Sequence, residues 1–173
     1  MYIRGTKIPH KMIRNVTPQD TAAITKIYNE YIAHTVISFE TEPLSEAEMQ
    51  QRIDRISTAF PYLVYEVDGE VAGYCYAHEW KERAAYRHTL ETTVYLSPRH
   101  TGKGIGRALM QRLIAECRGR GCHALIACIT ANNEASKSLH AKLGFVQVSH
   151  FKGVGHKFGQ WLDVVDYELL LTP

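Results

Sequence analysis

A glycine-rich, positively charged turn runs directly into an apolar-striped helix in the segment SPRHTGKGIGRALMQRLI, residues 97–114. The turn holds three glycines and four basic side chains, which are Arg99, His100, Lys103 and Arg107. Glycines leave backbone N–H groups open to a ligand, and the start of a helix carries partial positive charge. The segment therefore predicts a strand–turn–helix unit whose turn either holds an anion or is a solvated link.

The glycine spacing matches neither of the two common nucleotide-binding motifs. The glycines stand at 102, 104 and 106, so G-x-G-x-x-G fails because residue 107 is Arg. A Walker A loop fails because residue 97 is not glycine and neither Ser nor Thr follows Lys103. The remaining candidate anion is a diphosphate held by backbone N–H groups at the helix start.

Length and charge limit the function classes. A chain of 173 residues can bury a full hydrophobic core and has the size of one domain. A formal net charge of +2 is too small to indicate nucleic-acid binding. No segment resembles a signal peptide, and no apolar run approaches the roughly 20 residues of a membrane helix. We expect a cytoplasmic protein that binds neither nucleic acid nor membranes.

The cysteines and histidines do not predict a metal site. The four cysteines form no C-x-x-C pair and lie in apolar or helical runs, so we expect buried, reduced thiols. They are Cys75, Cys117, Cys122 and Cys128. The nine histidines are scattered and do not cluster at ligand spacing.

The order of elements predicts an α+β fold. Residues 1–10 are expected to form an N-terminal arm, and residues 11–173 one domain. Thr17 and Ser45 are typical helix caps, and Glu48 three residues after Ser45 predicts a capping box. The Asp68–Gly69 pair predicts a β-hairpin between YLVYEV and VAGYCYA. LETTVYL, the glycine turn with its helix, and ALIACIT predict one β-α-β unit in a largely antiparallel sheet.

The C-terminal third is expected to contain one more helix and two strands. NEASKSLHAKLG predicts a helix that ends at Gly144. FVQVSHF and WLDVVDYELLL predict strands on either side of a loop, KGVGHKFGQ.

Two elements resemble the cofactor site of the GCN5-related N-acetyltransferase (GNAT) superfamily. The string R-x-x-G-x-G, formed by Arg99, Gly102 and Gly104 between a strand and a helix, resembles its acetyl-CoA pyrophosphate loop. NNEASKSLHAKLGF resembles its second cofactor element, in which an Asn opens a helix. The resemblance spans Lys11 to Leu171 and implies a single-domain fold with a mixed, mostly antiparallel sheet flanked by helices.

Longer segments resemble the phosphinothricin and methionine sulfoximine N-acetyltransferase branch. They are SFETEPLS, YLVYEVDGEVAGY, WKERAAYRHTLETTVYLSPRHTGKGIG and HKFGQWLDV. This resemblance implies an enzyme that moves an acetyl group from acetyl-CoA to the α-amine of a small amino-acid-like substrate, and it also implies a homodimer. The sequence does not distinguish methionine sulfone, methionine sulfoximine and phosphinothricin as substrates.

The resemblance implies roles for individual residues. Glu91 is the expected general base, acting through water. His140 stands where many superfamily members have a tyrosine general acid, and it either takes that role or is a packed helix histidine. The expected cofactor-binding residues are Val94, Tyr95, Leu96, Gly102, Lys103, Gly104, Ile105, Gly106, Arg107 and Asn133. The expected substrate-binding residues are Phe39, Thr41, Lys81, Glu82, Arg83 and Glu91.

Two other functions remain open at this stage. A protein or peptide N-acetyltransferase would need an open groove, whereas SFETEP and HKFGQW are expected to close a small pocket. A non-catalytic acetyl-CoA sensor would bind the cofactor without turnover that depends on Glu91.

Overall fold

The computed structural model describes residues 10–171. The arm predicted at residues 1–10 lies outside the described residues except for His10, so its boundary stays a prediction. The strands are β1 (Lys11–Asn15), β2 (Tyr62–Val67), β3 (Glu70–Glu79), β4 (Thr89–Leu96), β5 (Ala124–Thr130), β6 (Val146–Gln147), β7 (Phe151–Lys157) and β8 (Gln160–Leu170). The helices are α1 (Thr21–His34), α2 (Glu46–Ser57), α3 (Ile105–Gly119) and α4 (Glu134–Lys142).

The strands form one mixed sheet in the order β1-β2-β3-β4-β5-β8-β6, with β7 also paired to β8. The β4–β5 pair is parallel, and the connection between these strands passes through α3. The other pairs are antiparallel. The predicted α+β fold with one β-α-β unit is confirmed.

Local sequence signals place the helices and the hairpin. The Ser45 hydroxyl accepts from the Glu48 N–H, and the Glu48 carboxylate accepts from the Ser45 N–H at 2.8 Å, which is the predicted capping box of α2. Asp68 and Gly69 both have positive φ in the turn between β2 and β3, as a tight hairpin requires. After Thr17, one 3-10 turn (Pro18–Asp20) precedes α1, so the α-helix begins later than predicted.

Helices cover both faces of the sheet. Because side chains alternate along a strand, Leu63 and Cys75 face α3, whereas Val64 and Tyr74 face α1 and α2. On α3, Leu109 and the other apolar residues of its inner stripe are fully buried. Each fully buried aliphatic side chain of this kind contributes roughly 1.5–3 kcal/mol to stability.

The prediction for the C-terminal strands was wrong in part. Most of KGVGHKFGQ belongs to β7 and not to a loop, because Phe158 and Gly159 both take positive φ and close a tight hairpin onto β8. FVQVSHF is not one strand: β6 ends at Gln147 and β7 begins at Phe151. The two pieces pair with successive stretches of β8, and the regular pairing is interrupted between Gln147 and Phe151.

The cysteine prediction was partly wrong as well. Cys75 and Cys117 are buried, whereas Cys122 is half-buried and Cys128 is exposed. Cys128 lies on β5 beyond the last residue paired with β4, where the neighbouring strand no longer covers it. Between residues 10 and 171 no helix has the length and apolar character to cross a bilayer.

Candidate active site

A cleft opens where two central strands separate. β4 pairs with β5 only from Thr89 to Glu91, opposite Ala124–Ile126, and the remainder of β4 has no β5 partner. The opening has a volume of about 1200 Å³. It is lined by the rest of β4, the glycine turn, α4, the end of β5 and the loop that follows α1.

The glycine turn forms one end of the cleft. Gly104 is the N-cap of α3 with φ 79°, and Gly102 has φ 70°. A Cβ at either position would meet nothing within 4 Å, so the backbone here is open to a ligand. The Ala108 N–H donates to the Gly104 carbonyl at 3.0 Å, which is the first backbone hydrogen bond of α3. The N–H groups of residues 105–107 precede this bond, so they have no acceptor within the helix and can donate to a ligand.

Most of the predicted cofactor-binding residues lie along this cleft. Asn133 lines it and also caps α4, where its side chain accepts from the Ser136 N–H at 3.2 Å. Lys103 is exposed outside the lining, with its Nζ donating to the Arg99 carbonyl at 2.7 Å, and Ile105 is buried in the core. The predicted residues that line the cleft are Val94, Tyr95, Leu96, Gly102, Gly104, Gly106, Arg107 and Asn133.

Glu91 lies at the point where β4 leaves β5, with its side chain lining the cleft. Burial raises the pKa of this carboxyl group above its usual range, and Asp166 raises it further, whereas His78 lowers it. A raised pKa makes the carboxylate a stronger base than an exposed glutamate. The chemistry that this position supports is proton removal at the centre of the cleft.

His140 is 3% exposed and packs edge-on against Phe145, with ring centroids 5.0 Å apart. Its Nδ1 lies 2.8 Å from the Ser136 carbonyl, which can only accept, so Nδ1 carries a hydrogen. Burial lowers the pKa of His140, which favours the neutral ring. His140 also lines the cleft. The Nδ1 hydrogen bond supports the packed helix histidine, and the general-acid role would fall to Nε2.

The loop after α1 lies over the other end of the cleft and is held there by hydrogen bonds from β5 and β7. Lys157 is 4% exposed, and its Nζ donates to the Ser38 carbonyl at 2.6 Å. Thr130 donates to the Val36 carbonyl at 2.9 Å. The Phe39 ring lies against Gly155 so closely that a Cβ there would collide with it. Gly155 and Lys157 belong to β7, so the segment predicted as a loop is the support of this cover.

A polar network that the sequence did not predict lies beneath the same loop. Glu40 lines the cleft and accepts from Arg52 and, at 3.1 Å, from the Tyr28 hydroxyl. Ser38 donates to the Tyr28 hydroxyl at 3.1 Å. Tyr76 lies within electrostatic range of both Glu40 and Glu91, and it also lines the cleft. Glu40 and Glu91 both lie at this end of the cleft, where Arg52 pairs with Glu40 and His78 lies beside Glu91.

The other predicted substrate residues lie away from the cleft lining. Lys81 is exposed, with its ammonium over the Trp80 ring at 4.1 Å from the centroid. Glu82, Arg83 and Thr41 are also exposed and do not line the cleft. Of the predicted set, Phe39 and Glu91 line the cleft. In the part of the chain that is described, no group of His, Cys, Asp and Glu could hold a metal ion.

Comparison with known proteins assigns the family. The profile of the acetyltransferase (GNAT) domain matches residues 13–165. The chain belongs to the GNAT acetyltransferase family. A phosphinothricin N-acetyltransferase from Alcaligenes faecalis is 44% identical over 155 residues, covering 88% of this chain and 79% of that protein. An L-methionine sulfoximine/L-methionine sulfone acetyltransferase from Salmonella typhimurium is 39% identical over 160 residues, covering 92% and 94%.

Solved structures confirm the GNAT fold of this acetyltransferase. A Salmonella typhimurium acetyltransferase with its cofactor acetyl-CoA gives a TM-score of 0.92 at 37% identity, covering 95% of each chain. A ribosomal-protein-alanine N-acetyltransferase from Brucella melitensis gives 0.90 at 36% identity, covering 92% of this chain and 99% of that chain.

Proposed function

We propose that this enzyme transfers the acetyl group of acetyl-CoA to the α-amine of a small amino-acid-like substrate. Methionine sulfone, methionine sulfoximine and phosphinothricin are the substrate types that its relatives' names indicate. The observation that carries the proposal is the position of Glu91, a partly buried carboxylate at the floor of a cleft between diverging strands.

The cleft fits the cofactor. A diphosphate suits backbone N–H groups at a helix start, and Gly102 and Gly104 provide the open backbone there. The unpaired part of β4, which includes Val94, Tyr95 and Leu96, suits an extended pantetheine arm that would add to the strand edge. When bound, acetyl-CoA supplies an acetyl group already activated as a thioester.

Glu91 prepares the substrate amine. At neutral pH an amino acid carries an ammonium group, which cannot attack a carbonyl until it loses a proton. Glu91 takes that proton, directly or through one water, and its raised pKa makes it a better acceptor than an exposed carboxylate. The negative charge of Glu91 also attracts the ammonium to this end of the cleft.

The cover over the cleft favours a small substrate. Phe39 and Glu40 lie above the cleft, and the bonds from Lys157 and Thr130 hold their loop in place. We propose outer contacts with the substrate for the four predicted residues that lie outside the cleft lining, which are Thr41, Lys81, Glu82 and Arg83. Arg83 is suited to pair with the substrate carboxylate.

One conservative variant distinguishes the two possible roles of His140, as a packed helix histidine or as a general acid. His140→Asn keeps a donor for the Ser136 carbonyl and cannot titrate. Because the ring is neutral and its proton is already donated, we expect kcat to stay within about threefold of wild type. The measurement is kcat at several pH values. A loss of about 100-fold would support the general-acid alternative instead.

We also propose that the enzyme is a homodimer through the β7–β8 hairpin. Five large apolar side chains are exposed on this one hairpin, and monomers rarely leave so much apolar surface uncovered. They are Phe151, Val154, Phe158, Trp161 and Leu170. A second copy of the chain is the partner that the family resemblance implies.

The dimer is tested by sedimentation equilibrium. Trp161 is 72% exposed, and we expect Trp161→Glu to reduce the solution mass from twice the 19.6 kDa chain mass to the chain mass. Gln160→Glu is the control, because it places the same charge on an exposed polar residue of the same hairpin. A wild-type chain that sediments as a monomer at micromolar concentration would overturn the proposal.

A second candidate is acetylation of protein N-termini. The likeness to the Brucella melitensis ribosomal-protein-alanine N-acetyltransferase favours it. Thiol release from acetyl-CoA, measured with amino acids, their sulfone, sulfoximine and phosphinate analogues, and short peptides, decides between the two. We expect release with the small substrates. Release with peptides alone would move the enzyme to the protein-modifying class, and binding without release would indicate a sensor.

A further inference from the structure

The cleft contains an imidazole beside the proposed base that has no role so far. His78 on β3 lies directly opposite Glu91 on β4 in the antiparallel register, and both side chains line the cleft. Nε2 of His78 lies 3.8 Å from Oε1 of Glu91. Each side chain is about one-third exposed, at 33% for His78 and 29% for Glu91.

The hydrogen bond of Nδ1 determines whether the ring nitrogen that faces Glu91 carries a hydrogen. Nδ1 of His78 lies 2.8 Å from the Glu79 carbonyl, an oxygen that only accepts, so Nδ1 carries the hydrogen. In the neutral ring, Nε2 then presents a lone pair toward the Glu91 carboxyl group. The 3.8 Å separation exceeds hydrogen-bond distance, so a small side-chain rotation has to bring the two groups together before a proton passes between them.

The chemistry of amide formation requires two proton acceptors. A substrate ammonium loses one proton before its nitrogen can attack and a second one as the amide forms. The new N–C bond forms, the C–S bond breaks, and the electron pair of that bond leaves on sulfur. One proton neutralises the thiolate to give the thiol, and the other is released to solvent. A single carboxylate holds only one of these protons at a time.

We propose that His78 accepts the first substrate proton from Glu91, so that Glu91 is again a carboxylate when the second proton is lost. This inference rests on the proposed function above. Imidazole suits the task because its unprotonated ring nitrogen can accept a proton and later release it. Because His78 acts through Glu91, it is a positioning residue for the proton and not itself a catalytic residue.

Three other titratable groups lie near Glu91. Partial burial, together with the nearby Glu91 and Asp166, raises the pKa of the Cys128 thiol on β5 to about 12, and burial also raises the pKa of Tyr76 on β3. Both therefore keep their protons at neutral pH. Asp166 on β8 faces the same region and accepts from the Ser149 hydroxyl at 2.9 Å. Among the groups described around Glu91, His78 is the one with a nitrogen lone pair facing its carboxyl group.

The test uses a variant that keeps a polar side chain but cannot titrate. His78→Gln is expected to lower kcat by about 10- to 100-fold while the KM for acetyl-CoA stays within about twofold. The acidic limb of kcat/KM against pH should move to higher pH, because Glu91 loses a neighbouring charge that lowers its pKa. His123→Gln, at an exposed histidine at the far end of β5, is the control and should behave as wild type.

Chemical rescue separates a proton role from a packing role. His78→Ala with added imidazole should regain N-acetyl product several-fold over His78→Ala alone, measured as the acetylated amino acid and not as thiol release. Equal kcat and pH profiles for wild type and His78→Gln would overturn the inference, and so would a loss that imidazole does not rescue. A wild-type enzyme that acetylates no amino acid would instead overturn the proposed function.

Discussion

Replacing Glu91 by Gln is expected to lower kcat by about 100- to 1000-fold while the dissociation constant for acetyl-CoA changes less than twofold. The substitution keeps the shape of the side chain and removes its basicity. Glu91 lies at the centre of the cleft, away from the glycine turn that is proposed to hold the diphosphate, so cofactor binding should not sense the change. Steady-state kinetics and isothermal titration calorimetry measure the two quantities.

The pH dependence of kcat/KM is a second test of Glu91 as the base. Glu91 must be a carboxylate to accept a proton, so activity should fall as pH falls through its raised pKa. That acidic limb should be absent in Glu91→Gln. Glu30→Gln is the control, because it removes another carboxylate that lines the cleft and should leave kcat close to wild type. A Glu91→Gln enzyme with one-third of wild-type kcat would exclude Glu91 as the base.

Replacing Gly104 by Val is expected to weaken acetyl-CoA binding by tenfold or more. Gly104 has φ 79°, a conformation that a β-branched residue adopts only with strain of about 1–3 kcal/mol. Relief of that strain would move the first turn of α3, where the amides proposed to bind the diphosphate lie. The new side chain would also project into the open space above the turn. The measurement is the dissociation constant for acetyl-CoA.

The same helix offers a matched control for this substitution. Gly121 follows the other end of α3 with φ 78° and has equally open surroundings. Gly121→Val should therefore destabilise the fold by a similar amount and leave acetyl-CoA affinity unchanged. Equal losses of affinity in the two variants would show that the effect comes from strain in α3 and not from the turn as a binding site.

Local signals predicted several elements of the fold, including the turn at one end of the cleft. The capping box at Ser45 and Glu48, the Asp68–Gly69 turn and the glycine turn before α3 act between residues close together in the sequence. Their chemistry is therefore visible without the fold. The motif resemblance added the order of these elements and the position of Glu91 on the strand that leads to the turn.

Contacts between distant residues could not be predicted in the same way. The bond from Lys157 to the Ser38 carbonyl joins residues 119 positions apart. His78 and Glu91 meet only because β3 and β4 pair in one particular register. The KGVGHKFGQ segment contains glycines typical of a loop, yet its pairing with β8 makes most of it a strand. Such contacts depend on register and on tertiary packing, which local patterns do not encode.

Isotope-labelled acetyl transfer tests the central claim most directly. The enzyme is incubated with acetyl-CoA that carries ¹³C in its acetyl carbonyl, separately with methionine sulfone, methionine sulfoximine, phosphinothricin and an alanine-terminated peptide. NMR then identifies the nitrogen that carries the label. We predict a labelled acetyl group bonded to the α-nitrogen of at least one of the three amino acids, and almost no labelled product with Glu91→Gln. Label on the peptide alone, or equal labelling by Glu91→Gln, would contradict the account.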